Sequence, residues 1–451
     1  MSRNHWMMFG TFAEQRYFAY PEREAYEGVI INGNMAAYAA QGIASFLLTK
    51  TLRQRYIIDP QTHAFQHDPA FVRDGNDVRK SIALLAEALG EPIENNVGKR
   101  PILPRMLGDD GLFRGLVGRC LDFEKASICE HMRESDVAKY VEFEGSGGVE
   151  IPPYALIAPY FYMKETTVEQ WLPVNVKAAV IALKLEGKLP IFASLVVSQG
   201  VILDSKLRDR IVDAFDEVNV KGFVLWIDEL DESEAGGAEL HGLLDLASRL
   251  RHNRAGLREV IDLHGGYFST LATGDMWGRS AFSAVCHGPE FGEHRSVVPV
   301  GGGIPIARYY IPALHQRIRY REAAAIFLEK GYLESSELFH REVCGCAECR
   351  ETIAGNPGEN FALFGDSNTK LVRRGNGVAS MEFPTARTKM RCLQHYLQRK
   401  AIECQFAVSG SKEQAVKDFM MAKGSYEEVI GLEGVAHLDL WREVLAGTWG
   451  R

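Results

Sequence analysis

The sequence predicts an α/β protein: a (β/α)₈ TIM-like barrel with a helical insertion and a C-terminal zinc-binding helical subdomain. Three observations indicate this fold class. Short apolar segments alternate with amphipathic helical segments through most of the chain, and one polar helical stretch interrupts the alternation. Three closely spaced cysteines, followed by a histidine on a later helix, come after the last apolar segment.

Eight segments have the composition of buried parallel strands. Each is apolar and ends at a turn signal or a polar residue, as in a parallel sheet that helices cover on both faces. The predicted strands are 29–31, 56–58, 155–157, 191–197, 223–227, 260–263, 282–285 and 296–298. The helices predicted between them are 35–52, 168–185, 206–218 and 238–252. Eight such units suit a barrel of about 250 residues or more.

The predicted organisation has two domains. The barrel would span residues 1–320, with a mostly helical insertion at about 67–145, and the zinc-binding subdomain would span 321–451. A doubly wound open sheet is the alternative fold. The chain has no G-x-G-x-x-G after its first predicted strand and no Walker A sequence, so we do not expect a nucleotide cofactor.

Composition narrows the class of protein further. A net charge of −8 argues against a chain covered all over with nucleic-acid-binding charge, although a local basic face is compatible with it. The sequence has no apolar run as long as a membrane helix and begins without the features of a signal peptide. We therefore expect a cytoplasmic protein with reduced cysteines and no membrane partner.

Cys344, Cys346 and Cys349 place three soft ligands within a short segment, and His395 follows in a predicted helix. Zinc prefers four such nitrogen and sulfur ligands, and four protein ligands leave no position for water, so the sequence predicts a structural Zn²⁺ site. The main alternative is a disulfide between Cys346 and Cys349, which would leave Cys344 without a disulfide partner. Other residues near enough in sequence to supply the fourth ligand are His340, Cys392 and Cys404.

Polar residues follow most of the predicted strands, at the end where a barrel builds its active site. The set comprises Asn32, Asn34, Asp59, Gln61, Tyr160, Gln199, Asp228, Glu229, Asp231, His264, Gly265, Gly266, His287 and Glu290. Each alone could be a strand-end cap or a turn residue, and their recurrence is the stronger argument. Asp228 directly follows a fully apolar strand, where burial could tune its pKa.

The region around the predicted zinc ligands has two further features. Eight Lys and Arg residues against one acid, Glu382, stand between Lys370 and Lys400, and such a basic face would suit a phosphate backbone. A solvated surface balanced by acids elsewhere is the equal alternative. Residues 354–380 are rich in glycine and asparagine and are predicted to form a long loop.

The Cys-x-Cys-x-x-Cys pattern and His395, in the aromatic-containing segment His395-Tyr396-Leu397, resemble the zinc subdomain of the tRNA-guanine transglycosylase superfamily. That superfamily includes a DNA-modifying branch that inserts 7-deazaguanines. The likeness covers roughly residues 340–400, although the spacing before His395 is longer here. Over the barrel, Asp59 with the trailing Phe65-Gln66 is similar to the family's Asp-Ser-Gly-Gly-Phe-Gln motif without its glycines. The family's nucleophile motif, a Phe-Asp on the last strand before a Pro-Thr-Arg, does not occur at that position.

The resemblance implies exchange of a guanine-type base for a 7-deazaguanine-type base in DNA or tRNA. In that chemistry Asp59 would be the base-binding or acid/base group, and Asp228 or Glu290 the nucleophile. The substrate-binding candidates are Tyr160, Gln199, Gly265 and Gly266. The sequence is compatible with an oligomer or with a complex with a partner protein.

Two other classes of function are alternatives to base exchange. The first is a non-catalytic nucleic-acid-binding relative that keeps the barrel and the zinc subdomain without the nucleophile. The second is a metal-dependent barrel hydrolase using His264 and His287 with acidic residues, although the H-x-H pair common in such sites is absent.

Overall fold

The computed structural model describes residues 4–10, 26–49, 54–135, 139, 151–253, 256–289, 293–298, 306–374 and 377–447. The chain divides into two compact units. The first is Met1–Val300 with Gly447–Arg451, and the second is Gly301–Ala446.

The first unit is built on an 8-stranded sheet. Its strands are β1 (His5–Phe9), β2 (Gly28–Asn32), β3 (Arg55–Asp59), β4 (Leu156–Ala158), β5 (Ile191–Val197), β6 (Gly222–Ile227), β7 (Glu259–Asp262) and β8 (Ala284–His287). All neighbouring strands are parallel, in the order β3-β2-β1-β8-β7-β6-β5-β4. The backbone N–H of Tyr154, just before β4, donates to the carbonyl of Tyr56 in β3 over 2.8 Å. The sheet is therefore a nearly closed barrel.

Helices surround this sheet. The longer ones are α1 (Gly33–Thr49), α2 (Lys80–Leu89), α3 (Asp110–Ala126), α4 (Val168–Leu185), α5 (Ser205–Asp216) and α6 (Gly237–Arg251). Aspartate side chains cap two of them, because Asp109 accepts from the N–H of Leu112 and Asp204 from that of Lys206. Helices α2 and α3 fall within the stretch predicted as an insertion.

One of the eight predicted strands is wrong and one observed strand was not predicted, so the total agrees. The sequence pattern does not predict β1, which stands ahead of the first apolar and helical alternation. Residues 296–298 are not a strand, since the N–H of Val297 donates to the Asp228 side chain rather than to a sheet neighbour. β1 instead lies between β2 and β8, and a Cβ on Gly28 would come within 2.6 Å of the Trp6 ring.

The inside of the barrel is filled by side chains that alternate along the strands. Large residues dominate this core, including Trp6 and Met8 from β1 and Trp226 from β6. Tyr160 and Tyr162, which follow β4, belong to the same cluster. These residues form the floor beneath the polar strand ends.

The second unit contains two antiparallel hairpins among its helices. The first hairpin pairs β9 (Arg308–Ile311) with β10 (Gln316–Arg319), and the second pairs β11 (Ser367–Arg374) with β12 (Gly377–Pro384). The longer helices are α7 (Tyr320–Glu329), α8 (Ser336–Glu342), α9 (Ala347–Thr352), α10 (Ala386–Ser409) and α11 (Lys412–Ala446). Gly431, with φ of 74°, kinks α11.

The predicted long loop at 354–380 is wrong. A short helix, Pro357–Phe361, strand β11 and the start of β12 occupy most of that stretch. In the sequence, the Gly375-Asn376 dipeptide separates β11 from β12 and is a two-residue hairpin signal, so the sequence contained the information that the loop interpretation overlooked. No helix in the described ranges combines the length and apolar composition that a membrane crossing requires.

Candidate metal centre and barrel-end site

The four predicted metal ligands come together in the second unit. His395 Nδ1 lies 3.7 Å from Cys344 Sγ, 3.4 Å from Cys346 Sγ and 3.3 Å from Cys349 Sγ. All four ligand atoms lie within 4.8 Å of one another, and all four residues are buried. Sulfur and nitrogen ligands of a tetrahedral zinc ion are separated by ~3.6 Å, given bond lengths of about 2.3 and 2.05 Å. The group therefore fits a tetrahedral metal ion.

A second layer of contacts orients these ligands. The Nε2 of His395 lies 2.7 Å from the carbonyl oxygen of Tyr310, which fixes the ring so that Nδ1 faces the thiols. The Tyr309 ring stacks on His395 at 4.3 Å, and its hydroxyl lies 3.2 Å from Cys349 Sγ. Backbone N–H groups also reach the sulfurs, as when Cys349 N donates to Cys346 Sγ over 3.4 Å.

The competing residues have other partners. Cys392 Sγ donates to the carbonyl of Phe364 over 3.4 Å, and His340 Nδ1 contacts the carbonyl of Cys344 over 3.2 Å. Cys404 is buried outside the four-residue group. All eight cysteines are free, so the structure has no disulfide between Cys346 and Cys349.

Asp59 ends β3 and is buried at the carboxyl end of the barrel. Its Oδ1 accepts from the Tyr160 hydroxyl over 2.6 Å and from the N–H of Gln61 over 3.0 Å. Burial raises the pKa of Asp59, whereas these two hydrogen bonds and the positive charge of Arg295 act in the opposite direction. Asp59 and Tyr160, both predicted site residues, thus form one hydrogen-bonded pair.

Asp228 follows β6 and is half-buried. The Tyr162 hydroxyl donates to its Oδ2 over 2.6 Å, and the N–H of Val297 donates to its Oδ1 over 2.7 Å. The Gln199 side chain donates to the backbone carbonyl of Asp228 over 3.2 Å. Both carboxylate oxygens of Asp228 therefore hold neighbouring loops in place.

Two residues beside these aspartates adopt left-handed backbone conformations. Gln61 has φ of 51° and Glu229 has φ of 56°. Residues other than glycine rarely adopt such angles, and the strain commonly clusters at functional sites. Its recurrence next to Asp59 and Asp228 supports a functional role for this end of the barrel.

A row of rings lies beside Asp59. His63 stacks on Tyr160 at 5.2 Å and meets Trp226 edge-on at 5.4 Å, while the His264 ring lies 4.9 Å from that of Trp226. Burial lowers the pKa of His63 to about 3 and that of His264 well below its ordinary value, so both rings are neutral at pH 7. The Nδ1 of His63 and both ring nitrogens of His264 have no hydrogen-bond partner among the described residues.

Asp262 and Glu232 form a second acidic group, behind the Gly265-Gly266 corner. Burial raises the pKa of Asp262 to about 6. Burial, with the charge of Asp262, raises that of Glu232 to about 8. A Cβ on Gly265 would lie 2.9 Å from Asp262 Oδ2, and one on Gly266 would lie 2.5 Å from Glu232 Oε2. The two predicted glycines therefore allow carboxylates to pack against the backbone.

Asp262 and Asp59 both act electrostatically on Cys286. Burial raises the pKa of Cys286 in β8, and the negative charges of Asp262 and Asp59 add to that effect. Arg295 acts electrostatically on Asp59, His63 and His264 alike. Asp59 and the two neutral imidazoles thus share one electrostatic neighbour, the Arg295 guanidinium.

The remaining predicted residues have different outcomes. Glu290 lies outside the described residues. His287 ends β8, where its Nε2 lies 2.9 Å from Nε2 of His5 and its Nδ1 lies 3.3 Å from the carbonyl of Gly265. Sequence reasoning missed Glu232 and His63 as site residues, because neither directly follows a strand. The signal that could have identified them is that Glu232 follows Asp228, and His63 follows Asp59, within a few residues.

The predicted basic face is smaller than the sequence count indicates. Lys400 is fully buried, with its Nζ 3.1 Å from Glu403 Oε2, and it faces the Tyr310 ring at 4.9 Å. Arg391 and Arg399 are half-buried. Among the side chains that the structure describes in this stretch, the exposed cations are Lys370 in the hairpin and Arg387 at the start of α10.

Comparison with models of known protein families and with curated proteins finds no match for this chain.

Proposed function

We propose that this protein is a transglycosylase-like enzyme that exchanges a guanine-type base for a 7-deazaguanine in DNA or tRNA. The proposal takes the nearly closed sheet as a (β/α)₈ TIM-like barrel, whose active sites form at the carboxyl ends of the strands. The single observation that carries it is the buried carboxylate of Asp59, which ends β3 and accepts from the Tyr160 hydroxyl over 2.6 Å, with a second buried carboxylate, Asp262, at the end of β7. Base exchange at an anomeric carbon needs two such groups.

Asp262 is the better candidate for the nucleophile. A pKa of about 6 leaves it ionised at neutral pH, and its burial removes water that would otherwise stabilise the charge. Asp228, by contrast, uses both oxygens in hydrogen bonds to Tyr162 and Val297. Asp59, held by Tyr160, serves as the acid/base group.

The reaction divides into two displacements. In the first, a carboxylate oxygen of Asp262 bonds to C1′ while the bond from C1′ to the guanine nitrogen breaks, and the leaving base takes a proton from Asp59. In the second, the ring nitrogen of the incoming 7-deazaguanine attacks C1′ and gives its proton to Asp59, and the bond to Asp262 breaks. The division of labour is that of a retaining glycosidase.

The ring row supplies a surface for a planar base. Tyr160 and His63 present aromatic faces, and stacking of a base on such a face stabilises binding by about 1–3 kcal/mol. The neutral imidazoles of His63 and His264 can each donate and accept a hydrogen bond. Gln199, Gly265 and Gly266 stay candidates for base contacts.

The Cys344, Cys346, Cys349 and His395 group would hold a structural Zn²⁺ ion. Three sulfurs and one nitrogen match the ligand preference of zinc, and four protein ligands leave no position for a reacting water. The ion would cross-link α9 and the loop before it to α10. Its role here is to stabilise the fold of the second unit.

A labelled-base assay tests the proposed activity. Zinc-loaded protein should incorporate labelled 7-deazaguanine into DNA or tRNA, and Asp59→Asn should slow incorporation by about 10²-fold or more, the range for loss of a general acid–base group. Asp213→Asn, an exposed change in α5, should leave the rate unchanged. No incorporation with either nucleic acid would overturn the proposal.

A non-catalytic nucleic-acid-binding relative is the second candidate. The observation that favours it is the absence of a Phe-Asp nucleophile motif from the last strand, β8, together with the structural use of both oxygens of Asp228. This candidate predicts nucleic-acid binding that Asp59→Asn and Asp262→Asn leave unchanged, with no exchange by the wild-type protein.

A further inference from the structure

The hairpin formed by β11 and β12 is a two-stranded ribbon with eight directly paired positions, from Ser367 with Pro384 to Arg374 with Gly377. At about 3.3 Å per residue, eight residues extend over ~26 Å. It pairs with no other strand among the described residues. Leu371 and Val378 are 77% and 63% exposed, so the ribbon presents apolar side chains to solvent.

The pairing gives the ribbon two unlike faces, because directly paired residues lie on the same side. One face carries Val372 with Ala379 and Asn368 with Phe383, and its apolar residues are half-buried. The other carries Thr369 with Glu382, Leu371 with Ser380, and Val378 at the position paired with Arg373. The second face combines exposed hydroxyl groups with exposed branched apolar groups.

Positive charge is concentrated on and next to this ribbon. Between residues 367 and 391 six cations stand against one acid, in a chain whose net charge is −8. The cations are Lys370, Arg373, Arg374, Arg387, Lys389 and Arg391. The acid, Glu382, accepts from Arg321 over 2.8 Å, so its charge is largely offset. The local field therefore attracts a polyanion.

We propose that the β11–β12 ribbon is an arm that enters the major groove of double-stranded DNA. The inference rests on the proposed function, whose partner is DNA or tRNA, and narrows it to duplex DNA. The major groove of B-form DNA is about 12 Å wide and admits a two-stranded ribbon, whereas that of an A-form RNA helix is too deep and narrow.

The outward face carries side chains that can contact base edges in such a groove. Hydroxyls such as those of Thr369 and Ser380 can donate to or accept from base edges, and the apolar groups of Leu371 and Val378 can contact thymine methyl groups. Arg387, at the start of α10, and Lys370, on the opposite face with its Nζ 5.7 Å from the centre of the Phe383 ring, are both exposed, and their long side chains can reach phosphates at the edges of the groove. The ribbon would hold the duplex while the target base is rotated out of the stack for exchange.

Binding of the full chain to defined duplexes tests the arm separately from catalysis. The probes are a fluorescent B-form DNA duplex of about 20 base pairs and an RNA duplex of the same sequence. Wild-type protein should bind the DNA duplex at least about tenfold more tightly than the RNA duplex. Replacing Lys370, Arg373 and Arg374 with alanine should weaken DNA binding on the order of tenfold or more and lower the salt slope by about 2.7, or 0.9 for each lost phosphate contact.

The matched control replaces three exposed cations of the first unit, Lys184, Lys206 and Arg210, with alanine. That variant should keep wild-type DNA affinity, and equal metal content would verify that the ribbon variant is folded. Equal affinity of the wild-type protein for the two duplexes would contradict the proposal that the ribbon enters the DNA major groove. Equal losses of DNA affinity in the ribbon variant and the control variant would also contradict it. If the ribbon proposal fails but the protein still exchanges bases, the proposed function is supported without the ribbon. If DNA binding depends on the ribbon but no exchange occurs, the ribbon proposal is supported and the proposed function is not.

Discussion

At the scale of single residues, the protonation of Glu232 is the feature that most distinguishes the barrel end from an ordinary polar cluster. Burial and the charge of Asp262 raise the pKa of Glu232 to about 8, so this carboxyl is largely neutral at pH 7. Asp262, with a pKa of about 6, is largely ionised there. Neighbouring carboxyl groups with separated pKa values are the usual basis for distinct acid and base roles.

Glu232 also makes stability depend on pH. Its pKa rises from 4.5 to about 8 on folding, so the folded chain keeps a proton that the unfolded chain loses between those values. The free energy of unfolding should therefore fall as pH rises through that window, by up to about 1.4 kcal/mol per pH unit. Above the window it should no longer change with the titration of Glu232. Glu232→Gln, which cannot ionise, should lack this loss.

Urea unfolding at about pH 5 and about pH 9 measures the effect through its free energy of unfolding. The stability of Glu232→Gln relative to wild type should increase toward the higher pH. Glu234→Gln, an exposed change two residues away, should show the same pH dependence as wild type. A pH-independent difference between Glu232→Gln and wild type would contradict the assignment.

The metal ligands make a second prediction for single residues. Cys346→Ala removes one of the four ligands and should lose most of the zinc, because the three that remain cannot complete a tetrahedral site. Cys392→Ala removes an equally buried thiol that contacts the carbonyl of Phe364 instead, and should keep about one zinc per chain. Metal analysis of the purified proteins measures both, and full metal content in Cys346→Ala would refute the ligand set.

At the scale of elements, the kink in α11 illustrates how one glycine sets the path of a helix. Gly431 has φ of 74° and ψ of 167°, a region essentially restricted to glycine. Gly431→Ala should destabilise the protein by about 1–3 kcal/mol. Gly424 provides the control, because it is exposed in the same helix and a Cβ added there would have no atom within 4 Å.

Gly424→Ala should stabilise the protein by up to about 1 kcal/mol, because alanine has the higher helix propensity. Thermal unfolding of the two variants beside wild type measures both changes. Shifts of the melting temperature in the same direction would show that α11 is not kinked at Gly431.

Elements differ in how far the sequence determined them. Helix α4 was predicted at its observed bounds, since the apolar positions of Val168–Leu185 recur at helical spacing. β1 was not predicted, because a strand of five residues near the start of a chain has no preceding helix to reveal the alternation. The β11–β12 hairpin was taken as a loop because its strands are polar and exposed. Without a buried face, their sequences do not show the alternation of apolar and polar residues that indicates a strand.

At the scale of the whole molecule, the sequence predicted an α/β chain with a parallel sheet and a group of three cysteines and one histidine, and the structure contains the sheet and a buried group of those four residues that could bind a metal. The three cysteines could be recognised because their identity and spacing are local, whereas His395 was predicted as a fourth ligand from a later helix. The barrel-end site could be predicted only in outline. Asp262, Glu232 and His63 gain their properties from burial and from neighbours distant in the chain, such as Cys286 and Arg295, which no local pattern shows.

The central claim is that a barrel-end carboxylate becomes bonded to a nucleoside sugar during base exchange. The direct measurement is mass spectrometry of acid-quenched reactions between the protein and a guanine-containing DNA or tRNA substrate, without an incoming base. We expect a covalent adduct with wild-type protein that maps to the peptide containing Asp262, and no adduct with Asp262→Asn. An adduct on another residue, or undiminished exchange by Asp262→Asn, would contradict the account.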